Sequence, residues 1–115
     1  MRKLMTIVLI LSALTFAAWA VVSAAENHAM EALKHAEEAV SHGKMGHADI
    51  LVQHAEMALK HAEAVEKQDS DAQKHMKEGI ASLKSAIDHG KMGHADVATQ
   101  FAEEAVIHIK ASGGK

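Results

Sequence analysis

The stretch HGKMGHAD occupies residues 42–49 of this 115-residue chain and recurs, letter for letter, at residues 89–96. The segments around the two copies, residues 27–65 and 74–112, align at the same offset of 47 positions, which is the separation of His42 and His89. An internal repeat this exact indicates that one structural unit has been duplicated. The fold of the chain therefore follows from what one unit forms.

Each unit has the pattern of a helical hairpin. On both sides of the repeated stretch, apolar residues recur at spacings of three and four, which predicts amphipathic helices. Gly43 and Gly90 are expected to be the left-handed residues that end the first and third helices. Two such hairpins bury their apolar faces by packing together, which predicts an all-α, up-down-up-down four-helix bundle. An extended rod or a dimer of hairpins is the alternative.

The beginning of the chain has the pattern of a secretory signal peptide. A basic start precedes an apolar run over residues 4–22, and small residues at 23–25 predict cleavage before Glu26. An earlier cleavage point and an uncleaved membrane anchor are the alternatives, since the run is almost long enough to cross a bilayer. The sequence thus divides into a signal peptide, residues 1–25, and a histidine-rich four-helix domain, residues 26–115.

The composition of the exported domain excludes several functions. Without Arg2 and Lys3, 10 of the 12 basic residues remain against 15 acidic ones, so the formal net charge is −5. This acidic balance argues against nucleic-acid binding, which requires a basic face. The chain has no cysteine, which excludes disulfides, thiolate metal sites, iron–sulfur clusters and haem attachment through cysteine.

All the histidines of the chain belong to one pattern. Those outside the two repeated stretches lie seven or fourteen residues before the first histidine of a stretch or after its second histidine. They are candidate metal ligands: His28, His35, His42, His47, His54, His61, His75, His89, His94 and His108. Seven helical residues rise about 10.5 Å, so such histidines share a face but not one ion. Sites must therefore combine neighbouring helices, or add carboxylate, methionine sulfur or water. We expect several open sites stacked along the bundle.

The tips of the two hairpins are the strongest local candidates. Each tip brings two histidines and one methionine close together in sequence, and these residues are His42, Met45 and His47 in the first tip and His89, Met92 and His94 in the second. Imidazole suits copper, zinc and nickel, and a thioether suits Cu(I). Both tips should lie at the same end of the bundle, where the four imidazoles are expected to converge.

The second unit has fewer histidines than the first. Ser82 replaces His35 at the equivalent position, and Phe101 replaces His54. The first hairpin is therefore expected to bind more metal than the second.

Enzymatic function has little support in the sequence. A di-iron carboxylate bundle requires an acidic residue three positions before a histidine on two helices, and none of the histidines here has one. The few serines lie in caps and linkers, so no nucleophile is predicted. We expect a metal-binding protein and no enzyme. The alternative is a pH-responsive or structural helical bundle, because imidazole titrates at about pH 6.5.

The chain also resembles a known family. The run HAEEAVSHGKMGH at residues 35–47, followed by HAE at 54–56 and KHA at 60–62, resembles the small metal-binding protein family, SmbP. Members of that family are cysteine-free, histidine-rich periplasmic proteins of bacteria. The resemblance implies a periplasmic location and reversible binding of several divalent ions, Cu²⁺ foremost, with zinc and nickel tolerated. It also implies a role in sequestration, buffering or delivery of metal.

The partners follow from the same considerations. Metal ions are the expected ligands, and we expect no nucleic acid, no stable membrane association after signal cleavage, and a monomer. Met45 and Met92 stand where the family has an acidic residue, which makes binding of Cu⁺ at the tips worth testing.

Overall fold

A computed structural model describes residues 26–66 and 71–113. These residues form four helices joined by short turns: α1 over residues 26–44, α2 over Ala48–Glu66, α3 over Asp71–Lys91 and α4 over Ala95–Ala111. The two described ranges contain no strand. The predicted all-α class and four-helix bundle are confirmed. The predicted signal peptide, residues 1–25, lies outside the described residues.

Alanine dominates the core of the bundle. Most of the buried apolar residues are alanines, and the largest fully buried side chains are Leu51, Met76, Leu83 and Ile109. Small side chains at helix contacts allow the helix axes to approach closely. Among the described residues, no helix is both long enough and apolar enough to cross a membrane.

The two hairpins pack with an approximate two-fold symmetry. Lys44 in the first tip forms an ion pair of 3.0 Å with Glu103, and its counterpart Lys91 forms one of 3.1 Å with Glu56. The offset that relates Lys44 to Lys91 also relates Glu56 to Glu103. Exposed ion pairs of this kind stabilise little. Their symmetry shows, however, that both tips lie at the same end of the bundle.

Each tip is closed by the same turn. The backbone N–H of His47 donates to the carbonyl oxygen of His42 at 2.9 Å, and the N–H of Gly46 donates to the carbonyl oxygen of Gly43 at 3.0 Å. These two bonds are those of a Schellman motif, whose left-handed residue is Gly46, with φ of 78°. The second tip repeats both bonds around Gly93.

The expectation that Gly43 and Gly90 are the left-handed residues is therefore wrong. α1 continues through residue 44, and α3 continues to Lys91. Gly43 is instead a contact residue, because a Cβ atom there would overlap the hydroxyl oxygen of Thr99 and lie 2.7 Å from a methyl carbon of Leu51. At Gly90 the added atom would crowd Val52, the counterpart of Thr99. Glycine is thus required at these two contacts between the hairpins.

Replacing Gly43 with alanine tests this contact. We expect Gly43→Ala to lower the free energy of unfolding by about 1–3 kcal/mol, because an extra carbon in a close-packed contact forces its neighbours apart. Ser41→Ala, an exposed change in the same helix, should stay within about 0.5 kcal/mol. Chemical denaturation of both variants measures the difference. Equal stability of the two would show that the helices do not meet at Gly43.

Candidate metal centre

One face of the first hairpin carries a continuous ladder of histidines. α1 and α2 are antiparallel. Moving seven residues forward in α1 therefore corresponds to moving seven residues backward in α2. The pairs that result are His28 with His61, His35 with His54, and His42 with His47, at ring-centroid distances of 5.3, 5.7 and 5.9 Å. Neighbouring pairs also touch, with His35 5.8 Å from His61 and His42 5.4 Å from His54. We call these residues the histidine ladder.

A glutamate joins the middle pair of the ladder into a possible metal site. Glu38 Oε2 lies 3.1 Å from His35 Nδ1 and 2.9 Å from His54 Nδ1, and the two nitrogens are 3.5 Å apart. Ligands bound to one ion at about 2 Å are themselves roughly 3 Å apart. All three side chains are partly buried. We call His35, Glu38 and His54 the middle triad.

A second group of donors shares a residue with the middle triad. Glu31, His35 and His61 each offer a donor atom, and these atoms lie within 4.8 Å of one another. Glu31 Oε2 is 3.9 Å from His35 Nε2. His28 adds a further nitrogen, since its Nδ1 is 3.0 Å from Nδ1 of His61. We call Glu31, His35 and His61 the outer triad.

The second hairpin carries one group of the same kind. Glu78 Oε2 lies 3.3 Å from His75 Nδ1 and 3.1 Å from His108 Nδ1. The repeat relates this third triad to His28, Glu31 and His61 in the first hairpin. Two imidazoles from antiparallel helices again meet one carboxylate.

The middle triad has no counterpart in the second hairpin. The positions equivalent to its three residues are Ser82, Ser85 and Phe101. The ring of Phe101 stacks on His89 at 5.4 Å, which is also the distance between the rings of His54 and His42. The packing of the two helices is thus preserved in the second hairpin, although the imidazole and carboxylate groups of the middle triad are absent there. Within the described ranges, the first hairpin has two triads and the second has one.

The tips bring their histidines together in pairs and not as a group of four. The rings of His42 and His47 are 5.9 Å apart, and those of His89 and His94 are 6.0 Å apart. Among the described residues, no ring contact joins the two tips. The cavity between them is lined by Gly43, Lys44, Gly46, Gly93, Ala95, Asp96 and Thr99, with no histidine. The expected convergence of four imidazoles is therefore not found.

Two further features of the tips bear on ligation. Nδ1 of His42 and Nδ1 of His89 are buried and have no hydrogen-bond partner. Such atoms are costly to bury unless something satisfies them. The side chains of Met45 and Met92 are 56% and 57% exposed, so both thioethers are accessible.

The comparison with known families agrees with this geometry. The family model described as "Small metal-binding protein" matches residues 1–112. The chain belongs to the small metal-binding protein family. A search of curated proteins finds no match. The resemblance inferred from the sequence is confirmed, and metal binding is supported both by the family and by the His/Glu triads. A binding role, and not a catalytic one, is what membership of the small metal-binding protein family suggests.

The glutamates of the three triads were not among the candidate ligands taken from the sequence. Glu31, Glu38 and Glu78 each stand three residues after a histidine. Residues three apart on a helix share a face. The spacing of di-iron enzymes, with an acid three residues before a histidine, is the opposite one and does not occur in this chain. The reverse spacing, His-x-x-Glu, would have identified all three carboxylates of this small metal-binding protein.

The position of His61 in the histidine ladder lowers its pKa. Burial lowers the pKa of His61, the neighbouring imidazoles of His28 and His35 lower it further, and Glu31 partly opposes them. A histidine with a lowered pKa is neutral at pH 7 and can offer a nitrogen lone pair to an ion.

This shift predicts a pH dependence of the metal-free protein. Unfolded His61, with its ordinary pKa of 6.5, takes up a proton at a higher pH than folded His61 does. The unfolded state therefore binds more protons, and the contribution of His61 to stability is lost as pH falls below about 6.5. In His61→Gln, the decline of unfolding free energy between pH 7 and 5 should be shallower. An NMR titration midpoint for His61 at or above 6.5 would contradict the assignment.

Proposed function

We propose that this member of the small metal-binding protein family is exported to the periplasm and reversibly holds several divalent metal ions there, copper foremost. Zinc and nickel are the other cargoes that its donors suit. The observation that carries the proposal is the recurrence of two imidazoles and one carboxylate, drawn from antiparallel helices, in all three triads. The role is sequestration, buffering or delivery of metal.

The chemistry of the donors favours copper. Imidazole nitrogen binds copper, zinc and nickel well, and among divalent ions Cu²⁺ binds most tightly to a given set of nitrogen and oxygen ligands. A carboxylate in each triad offsets part of the charge of the ion. The exposed thioethers of Met45 and Met92 suit Cu⁺ and would extend binding at the tips to the reduced ion.

The exposure of the triads favours reversible binding. Their donors lie on the outer face of each hairpin, where His35 and His54 are about one-fifth exposed and His75 and Glu78 almost half exposed. Three protein ligands leave a coordination position for water or for a ligand from another molecule. An ion in such a site can leave without unfolding the bundle, as a buffer or carrier requires.

Export is supported by the beginning of the chain. The basic start and the apolar run up to residue 22 are typical of a signal peptide. The absence of cysteine also suits an oxidising compartment in which copper is present, because no thiol is available to be oxidised.

A titration with copper, followed by calorimetry, tests the proposal on the middle triad. The variant Glu38→Ser/His54→Phe copies the residues of the second hairpin, where Ser85 and Phe101 occur in intact helices. We expect it to fold and to bind at least one copper ion fewer than the wild type. The control Glu63→Ser/Gln53→Phe makes the same kinds of change at exposed positions of α2 and should keep the full number. Equal loss in both variants would contradict a site at the triad.

The same titration separates the triads from the tips. The variants His42→Ala/His47→Ala and His89→Ala/His94→Ala should lower the number of bound ions while leaving the third triad, at His75, Glu78 and His108, filled. If either tip variant bound no copper, the tips would be the principal sites and the triads would be secondary.

Acid should release the metal. Protonated imidazole cannot bind an ion, so affinity for copper should fall as pH decreases through about 6. Because the ion binds the folded chain better than the unfolded one, saturating copper should also raise the melting temperature. Calorimetry at pH 7.5 and 5 measures the first effect and thermal unfolding the second. Constant affinity would contradict imidazole ligation, and no binding at micromolar copper would leave a pH-responsive or structural bundle as the better account.

A further inference from the structure

We propose that His35 bridges two metal ions, so that the first hairpin contains a dinuclear centre. One ion would be bound by Nδ1 of His35 together with Glu38 and His54, and the other by Nε2 of His35 together with Glu31 and His61. This inference rests on the proposed function, since it requires that the triads bind metal.

The two nitrogens of His35 face different carboxylates. Nδ1 lies 3.1 Å from Glu38 Oε2, and Nε2 lies 3.9 Å from Glu31 Oε2. His54 lies against the Nδ1 side, at 3.5 Å between nitrogens, and the ring of His61 stacks on that of His35 with centroids 5.8 Å apart. Each nitrogen therefore has its own carboxylate, and the groups that contain these two carboxylates have different second imidazoles, His54 and His61.

Because His35 belongs to both triads, either one bound ion excludes the other or His35 bridges two ions. The geometry favours the bridge. If both triads needed the same nitrogen of His35, one ion would exclude the other. The two nitrogens lie on different edges of the imidazole ring, and bonds of about 2 Å on either side of the ring place two ions roughly 6 Å apart. Apart from His35, the middle triad and the outer triad have no residue in common. Two ions can therefore be held at once.

The charge and proton balance of the centre is consistent with this arrangement. A neutral imidazole carries one N–H proton, which must leave to solvent before both nitrogens can bind ions. The resulting imidazolate and the carboxylates of Glu31 and Glu38 together carry three negative charges against the four positive charges of two divalent ions. This partial neutralisation reduces the repulsion between the two ions.

The second hairpin provides an internal comparison. Ser82 stands at the position of His35, and the third triad consists of His75, Glu78 and His108. No histidine is shared between two groups in the described part of that hairpin. It should therefore bind its ion singly.

Electron paramagnetic resonance of the copper-saturated protein tests the bridge. Two Cu²⁺ ions joined by an imidazolate pair their electron spins at low temperature, whereas an isolated Cu²⁺ ion gives a full signal. In the wild type, the copper counted by spin should fall short of the copper counted by elemental analysis by two ions per chain. In His35→Ser, which copies Ser82, that shortfall should disappear.

The control variant is His75→Ser, which removes the histidine of an otherwise similar His-x-x-Glu pair in the second hairpin. It should lose bound copper and keep the shortfall of two spins. Glu38→Gln should restore the full spin count, because it weakens one side of the bridge. Full spin counts in a wild type that binds several ions would overturn the bridge and leave the proposed function intact. A shortfall that persists in His35→Ser would also overturn it. A wild type that binds no copper would remove the proposed function and the bridge together.

Discussion

The register between the two helices of a hairpin determines almost everything else in this molecule. It is set at the tip, where the N–H of His47 donates to the carbonyl oxygen of His42 and Gly46 supplies the left-handed residue of the turn. Once these two histidines are opposite each other, every histidine seven residues earlier in α1 meets one seven residues later in α2. Because seven residues are almost two helical turns, all the pairs lie on one face. A turn one residue longer would move every pair out of register.

The alanine-rich core is the second condition for the triads. A carboxylate can lie about 3 Å from imidazoles on two helices only if those helices are close together. Alanine at the buried positions and glycine at residues 43 and 90 permit this approach. A core so poor in large side chains buries little apolar surface per residue, and the hydrophobic contribution to stability is correspondingly small. The core thus permits the helices to lie close together but buries only a small apolar volume. Ions that join α1 to α2 would add stability that the core does not provide.

Much of this arrangement could be predicted from the sequence, and the exceptions have physical reasons. The exact repeat and the spacing of the apolar residues are sufficient to predict the four-helix bundle. The seven-residue spacing of the histidines implies that they pair between helices. The role of Gly43 could not be predicted, because glycine serves both left-handed turns and close contacts, and only the position of Thr99 distinguishes the two uses. The glutamates of the triads could have been predicted from the spacing His-x-x-Glu, which places an acid and a histidine on one helical face. The separation of the tip imidazoles depends on how the hairpins pack, which sequence periodicity does not specify.

The differences between the two halves give independent reason to treat the triads as units. If each histidine and glutamate acted separately, replacements in the second hairpin would be expected at scattered positions. Instead, all three positions of the middle triad carry non-ligands, Ser82, Ser85 and Phe101, and all three residues equivalent to His28, Glu31 and His61 are kept. The outer triad loses only the position of its shared residue, His35, and its other two residues persist as Glu78 and His108, because His75 completes a triad with them. Where no such third donor remains, as at the middle triad, two donors would bind an ion weakly and have little reason to persist. Replacement as a group and retention as a group are what cooperation around a common ion would produce.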